Sequence, residues 1–457
     1  MKPLRMAVVV LCTALGSATL AQDAAQSDEG QDDSSAVKKP EPMMSLTPTL
    51  PDYSGNIWSR QYLTGDWGGA RTELAENGIT FDAELTQIIQ GNAYGGADTN
   101  NAFRYSGNIS YTLTFDTARM GLWPAGQILL KGETQIGQSI NRKVGSIGPV
   151  NAQALFPEPD DSGLTTLTDV VYTQFLSEKF GFAVGKIDFR GGDQNLFAHS
   201  ETKQFMNLAF LANPLLLSYA PYNALMAALL FRPTDWLVVS VSMLDSFGRP
   251  TTAGFDTAFH SPQGTTFITE WDFTIKPFGL IGHQRFGAAY SNREFTLFDQ
   301  DLRLGGPLRT LRSLSQFMRD PKTRPDDWGI YYNFDQYIYT EKEDPSQGVG
   351  LFGRFAWSTG EANPFDAFYS IGVGGKGIIP ERDHDTFGVG YYFMDMSDDL
   401  PSFLGISSEQ GVEIYYNIEI TPWLHISPDL QVIIDPGGGS LDQDLAIAYG
   451  IRMHMTF

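Results

Sequence analysis

The final stretch, LAIAYGIRMHMTF, alternates without a break. Leu445, Ile447, Tyr449, Ile451, Met453, Met455 and Phe457 form one column; Ala446, Ala448, Gly450, Arg452, His454 and Thr456 form the other. A period of two marks a strand with one apolar and one polar face. The same period recurs in ITFDAELTQI from Ile79, NISYTLTFD from Asn108, QILLKGETQI from Gln127 and GVEIYYNIEI from Gly411. These segments run ~9–11 residues, the length a tilted strand needs to cross a bilayer. Matching every segment to this template gives about sixteen strands. They start near Ile79, Asn108, Gly126, Thr165, Phe180, Asn223, Leu237, Thr266, Gly282, Gly329, Gly348, Phe368, Thr386, Gln410, Leu424 and Leu445. FGFAVGKIDF, from Phe180, alternates poorly, and the segment from Gly282 is polar throughout.

The connections are sorted by length. TARMGLWPA, SEK, RPTDW and PFGLI are short, and between them lie long ones such as GNAYGGADTNNAFRYSG and DSFGRPTTAGFDTAFHSPQG. A soluble sandwich has no reason to sort its loops; a membrane barrel does, with short turns on the periplasmic side and long loops outside. Trp123, Phe180, Trp236, Phe278 and Trp423 fall at the short-turn ends of strands, where an interfacial aromatic girdle belongs. Because lipid cannot pair with backbone N–H or C=O, the sheet must close, with the last strand joining the first near Ile79. The expected fold is therefore an all-β, transmembrane, antiparallel up-and-down barrel of about sixteen strands, apolar outside and wet inside. No segment reads as a plug domain.

Residues 1–21 carry Lys2 and Arg5, a short apolar core and small residues before a cut after Ala21, the pattern of a secretory signal peptide. The apolar run is far below the ~20 residues of a spanning helix. Cys12 follows Leu11, a poor match to a lipoprotein site, and it is the one cysteine, so the exported chain has no disulfide. Residues 22–56, acidic and proline-rich, read as disordered. Within 57–78, GDWGGARTELAENGI reads as a short helix with Asp66 as cap, Leu74 as main apolar contact and Gly78 as stop. The barrel follows over 79–457. After the signal is removed, 29 Lys+Arg face 53 Asp+Glu, which excludes nucleic-acid binding through phosphates.

YLTGDWGGARTELAENGITFDAELTQ, FAHSETKQFMNLAF, GLFGRFAWSTGEANPFDAFYSIGVGGKGIIPERDHDTFGVGYY and IYYNIEITPWLHISPDLQVIIDPGG together resemble the carbohydrate-selective porins of the OprB family. The resemblance implies a bacterial outer-membrane channel through which small sugars diffuse inward. It also implies a terminal Phe of the kind used by the barrel-assembly machinery. The expected surroundings are outer-membrane lipid and lipopolysaccharide, with a homo-oligomer as an open option.

A porin breaks no bonds, so its site is a constriction. The candidate is the connection 190–222, RGGDQNLFAHSETKQFMNLAFLANPLLLSYAPY, which is apolar enough to pack on the wall and polar enough to face the lumen. Its candidate solute-facing residues are Arg190, Asp193, Glu201, Gln204 and Asn207. On the inward wall the candidates are Glu84, Lys131, Glu133, Arg354, Lys376, Glu413, Asn417, Glu419 and Arg452, since vicinal hydroxyls bond to carboxylates, amides and guanidinium forks. Arg354 and Arg452 stand out as lone cations on small, polar faces. No catalytic residue, metal or cofactor is expected: the acidic runs EPDD and DMSDDL and the cluster DHD read as loop and turn charges. Two alternatives remain at this point, a general or cation-favouring pore suggested by the acidity, and a secreted β-rich enzyme acting on polysaccharide.

Overall fold

The structure, a computed structural model, describes residues 49–155, 164–189, 193–248, 263–300 and 320–457. The signal peptide, most of the acidic N-terminal segment, Arg190 and EPDD lie outside them. The first nine strands are β1 (Ile79–Gly95), β2 (Phe103–Asp116), β3 (Gly126–Gly137), β4 (Leu164–Ser177), β5 (Phe180–Asp188), β6 (Asn223–Thr234), β7 (Leu237–Asp245), β8 (Thr265–Ile275) and β9 (Gly282–Ser291). A two-strand ribbon follows, β10 (Phe295–Thr296) with β11 (Thr323–Arg324). Then come β12 (Asp327–Thr340), β13 (Gly348–Ser358), β14 (Phe365–Lys376), β15 (Thr386–Met396), β16 (Ser408–Thr421), β17 (Leu424–Ile434) and β18 (Leu445–Thr456).

All strands except the ribbon pair with their neighbours in one closed antiparallel barrel, and β18 returns to β1. Ile451 lies opposite Ile89 and Arg452 opposite Ile88, and the Phe457 N–H donates to Ala83 O at 2.8 Å. The barrel's polarity is the reverse of a soluble one. On β18 Ile451 is 55% exposed while Arg452, one residue on, is 0% exposed. The apolar column faces outward and the polar column faces the interior, as a hydrocarbon solvent requires.

Strand starts agree closely with the alternation. The largest difference is β2, which begins at Phe103 rather than Asn108. Phe103 and Tyr105 continue its outward column, but Gly107 interrupts the apolar sequence there and hid the extension.

The helix Ala70–Glu76 sits at the short-turn end against the β1–β18 seam. Gly69 rather than Asp66 stands at its N-cap, though the Asp66 carboxylate still accepts from Thr72 N in the first turn at 2.8 Å, and Gly78 follows its end with φ of 85°. Leu74 is exposed, however; the contacts are made by Ala75 and Arg71. Arg71 donates to Phe81 O (2.7 Å), Asp82 (3.0 Å) and Phe457 O (2.9 Å). Its guanidinium lies 4.2 Å from the ring centre of Tyr53 and 4.3 Å from that of Tyr62. The packed chain thus begins before Asn56, because Tyr53 is needed to cover this cation.

Candidate functional site

The connection between β5 and β6 does not project outward. Its described part, 193–222, here called the strap, packs against the inward faces of β13–β16. The Phe205 ring lies 4.8 Å from that of Tyr415 and 5.3 Å from that of Phe352, and Phe210 lies 5.7 Å from Tyr392. The wall makes room by carrying glycine where the rings press. A Cβ on Gly390 would stand 2.5 Å from Phe210, and one on Gly374 would stand 2.7 Å from Phe197. Both distances are inside any real contact, so the strap's aromatics and the wall's glycines are one packing arrangement.

Charged wall residues then take up the strap's main chain. Arg354 on β13 donates Nε and Nη2 to the Asp193 carboxylate at 2.6 and 2.7 Å. It also donates Nη1 to Phe210 O at 2.8 Å and Nη2 to Ala198 O. Arg452 on β18 donates to Glu201 O at 2.9 Å and Gln204 O at 2.6 Å. Arg285 on β9 donates to Gln194 O at 3.0 Å and pairs with Asp335 at 2.7 Å. From β16, Glu413 accepts from Met206 N (2.5 Å) and Asn207 N (2.9 Å). Strap carbonyls thus meet arginines, and strap N–H groups meet a carboxylate. Each is a charge-assisted bond in a buried setting, where an orphaned backbone group would be costly.

The described part of the long connection after β3, residues 138–155, also comes inside, where the sorting of loops by length placed long connections outside. The Glu409 carboxylate accepts from Ser146 Oγ (2.6 Å), Ile147 N (2.7 Å), Gly148 N (2.9 Å) and Gly437 N (2.9 Å). The two inserted segments join directly, Ala152 N to Met206 O at 2.9 Å and Leu208 N to Pro149 O at 3.0 Å.

This geometry sorts the expected site residues. Arg354, Arg452 and Glu413 face inward but lie beneath the strap and hold it, which replaces their reading as groups turned to open solute. Asp193 belongs to the same set. Burial pushes its carboxyl up, but the charges of Arg354 and Arg285 and the fork of Arg354 outweigh this and hold it below the ordinary range. Gln204 is spent inside the strap, accepting from His199 N (2.7 Å) and Ser200 N (2.9 Å). Asn207 is buried and caps the one-turn helix Leu208–Leu211. Asn417 bonds to His425 and Ser427. Lys131 and Glu133 pair with one another at 2.8 Å on β3, away from the strap's anchors. The charges of Glu84, Glu419 and Lys376 act on Lys203 of the strap. Burial lowers the Lys203 pKa, with the two carboxylates opposing.

Arg285, Asp335 and Glu409 were missed. The signal for Arg285 was present, since a polar strand inside a barrel must be polar for a partner. The glycine rows GVGLFG, GVGGKG and FGVGYY carried a second signal, small inward positions on three adjacent strands.

A closed sixteen-strand barrel, apolar outside and polar inside, is the architecture of an outer-membrane diffusion channel. The family model "Carbohydrate-selective porin, OprB family" matches residues 100–457, and the chain belongs to that family. Porin B of Pseudomonas aeruginosa is 25% identical over 431 residues, covering 87% of this chain and 91% of the relative. The high-pH structure of Pseudomonas putida OprB superposes with a TM-score of 0.75 at 22% identity, covering 88% of this chain and 100% of that one. The low-pH structure of the same protein gives 0.53 at 18% identity, covering 88% and 99%. The chain is therefore a bacterial outer-membrane porin and not an enzyme.

Proposed function

We propose that this porin lets small carbohydrates diffuse passively through a water-filled lumen narrowed by the strap. The observation that carries the reading is the strap's double attachment, aromatic rings against wall glycines and main chain against Arg285, Arg354, Arg452 and Glu413. A segment held this firmly is a fixed part of the permeation path. Lys203, Lys376, Glu84 and Glu419 supply both donors and acceptors near the strap, suited to hydroxyl groups met in passing. Several weak contacts serve a channel better than one strong one, because the solute must also leave. Swelling of proteoliposomes in sugars and in amino acids of equal size tests the reading. Faster entry of sugars is expected; equal rates would reduce the protein to a general pore.

A further inference from the structure

The helix Ala70–Glu76 leaves one of its edges without a protein partner. Successive residues of a helix turn by about 100°. Arg71 and Ala75 therefore share a side, and both are buried at the barrel end. Glu73 and Glu76 fall on the far side and are exposed. Ala70 and Leu74 fall on an edge between the two, and Leu74 is 40% exposed. A single exposed leucine would mean little, but its surroundings repeat the pattern.

Trp67, just ahead of the helix, is 46% exposed, and its backbone is held at φ of 51°, a left-handed conformation that a bulky residue rarely takes. Trp58 is 75% exposed. The carbonyl of its neighbour Ile57 accepts from the Trp423 indole at 2.7 Å, which fastens this stretch to the β16–β17 turn. Past the helix, a Cβ on Gly78 would stand 2.9 Å from Met120 of the β2–β3 turn, where Met120, Leu122 and Trp123 are exposed as well. An apolar patch of this size marks an interaction surface. At both ends it joins wall that already faces lipid. The Trp67 ring lies 6.4 Å from that of Phe81, on the outward column of β1. The Trp123 indole donates to Tyr172 Oη at 2.9 Å, and Tyr172 stands opposite the outward Val184.

We propose that Trp58, Trp67 and Leu74 rest in the periplasmic leaflet of the outer membrane, so that the helix lies in the plane of the interface as an amphipathic anchor on phospholipid. Such helices bury an apolar face ~5–10 Å into the boundary between headgroups and acyl chains and keep their charges in water. Tryptophan is the residue that favours this level. The three sides of the helix then have three surroundings: Arg71 and Ala75 meet the barrel, Ala70 and Leu74 meet lipid, and Glu73 and Glu76 meet the periplasm. The occupant is phospholipid rather than a soluble protein, because the patch joins the hydrocarbon-facing wall through Phe81 and Tyr172. A soluble partner would have to enter the headgroups to cover it. The inference is independent of which solute the channel passes.

Cys12, in the signal peptide, is the one cysteine, so single-cysteine variants of the exported chain take a nitroxide label at one place. Leu74→Cys, Glu73→Cys and Glu76→Cys are labelled and reconstituted in liposomes of phosphatidylethanolamine and phosphatidylglycerol, with Phe81→Cys as the lipid-facing reference. Power saturation with molecular oxygen, which collects in the bilayer, and with a water-soluble nickel complex reads the depth of each label. The label at Leu74 is expected to favour oxygen over nickel severalfold more than the labels at Glu73 and Glu76, and to approach the Phe81 reference. Heat-modifiable gel mobility confirms that each variant is a closed barrel, and Ala70→Cys reports the same edge if Leu74→Cys does not close. Equal nickel access at Leu74 and Glu76 overturns the proposal. So does dipolar broadening between Leu74 labels that disappears on dilution with unlabelled porin, since it would place a second copy on this edge. Equal liposome swelling by sugars and amino acids would defeat the sugar-diffusion reading alone and leave the depth result standing.

Discussion

Replacing Arg354 by Met is the sharpest perturbation of the strap. The methionine keeps an apolar stem of similar length on β13 but removes four donors' worth of contact: the fork on Asp193 and the bonds to Phe210 O and Ala198 O. The barrel wall is untouched, since the β12–β13 and β13–β14 ladders are main-chain bonds. What is lost is a buried ion pair in which the Asp193 side chain is 16% exposed and the Arg354 side chain 1% exposed. Breaking such a pair from one side costs roughly 3–5 kcal/mol, a shift of about 10²–10⁴ in the ratio of docked to undocked strap at 1.4 kcal/mol per decade. Hydrogen exchange in reconstituted protein reads this directly. The amides of Ala152 and Leu208, which bridge the two inserted segments, are expected to lose protection while the strand amides keep theirs. Single-channel conductance should rise with it. Adding Asp193→Asn removes the stranded carboxylate, so the double variant should recover part of the loss, as residues in contact do and distant independent sites do not. Unchanged protection of the bridging amides and unchanged conductance in Arg354→Met would refute the reasoning.

Four further outcomes are expected. Because the Asp193 carboxyl lies below its ordinary value in the docked strap, its contribution is complete above about pH 4 and fades only as pH falls through that lowered value; strap protection measured from pH 7 downward should hold level and then drop. Phe210→Ala removes a fully buried ring and should cost the docked strap about 3–5 kcal/mol, raising conductance without changing gel mobility. Gly390→Val places methyl groups where Phe210 sits and should give the same phenotype from the wall side, whereas Gly132→Ala, whose added carbon would meet nothing nearer than Thr166 O at 3.5 Å, should alter conductance little. Arg71→Ala uncouples the helix from Phe457 and from β1, so the heat-induced gel shift should move to lower temperature with conductance preserved.

The barrel was legible in the sequence because its solvent inversion writes a period of two that cannot hide. Leu445–Thr456 displays it, and Gly107 shows how one glycine blurs it. The strap was legible as a segment that suited neither solvent nor a strand, and its placement follows from the same balance of rings and polar groups. The roles of its partners were not legible. Arg354 and Arg452 were identifiable as inward cations, but whether such a cation meets a solute or a carbonyl depends on how far a distant loop reaches, which local spacing does not encode. Leu74 failed for a related reason: a helix lying on the end of a barrel has no apolar core beneath it, and Arg71 between two tyrosines took the buried place instead.

The most direct test of strap-governed selectivity compares proteoliposome swelling by intact porin and by an Arg354→Met/Arg452→Met variant, using a hexose, a pentose and amino acids of matching size. The intact protein should admit sugars faster than amino acids, and the variant should admit everything faster with the preference gone. A variant that gained speed yet kept the full sugar preference would place selectivity in the barrel wall and contradict the role given to the strap.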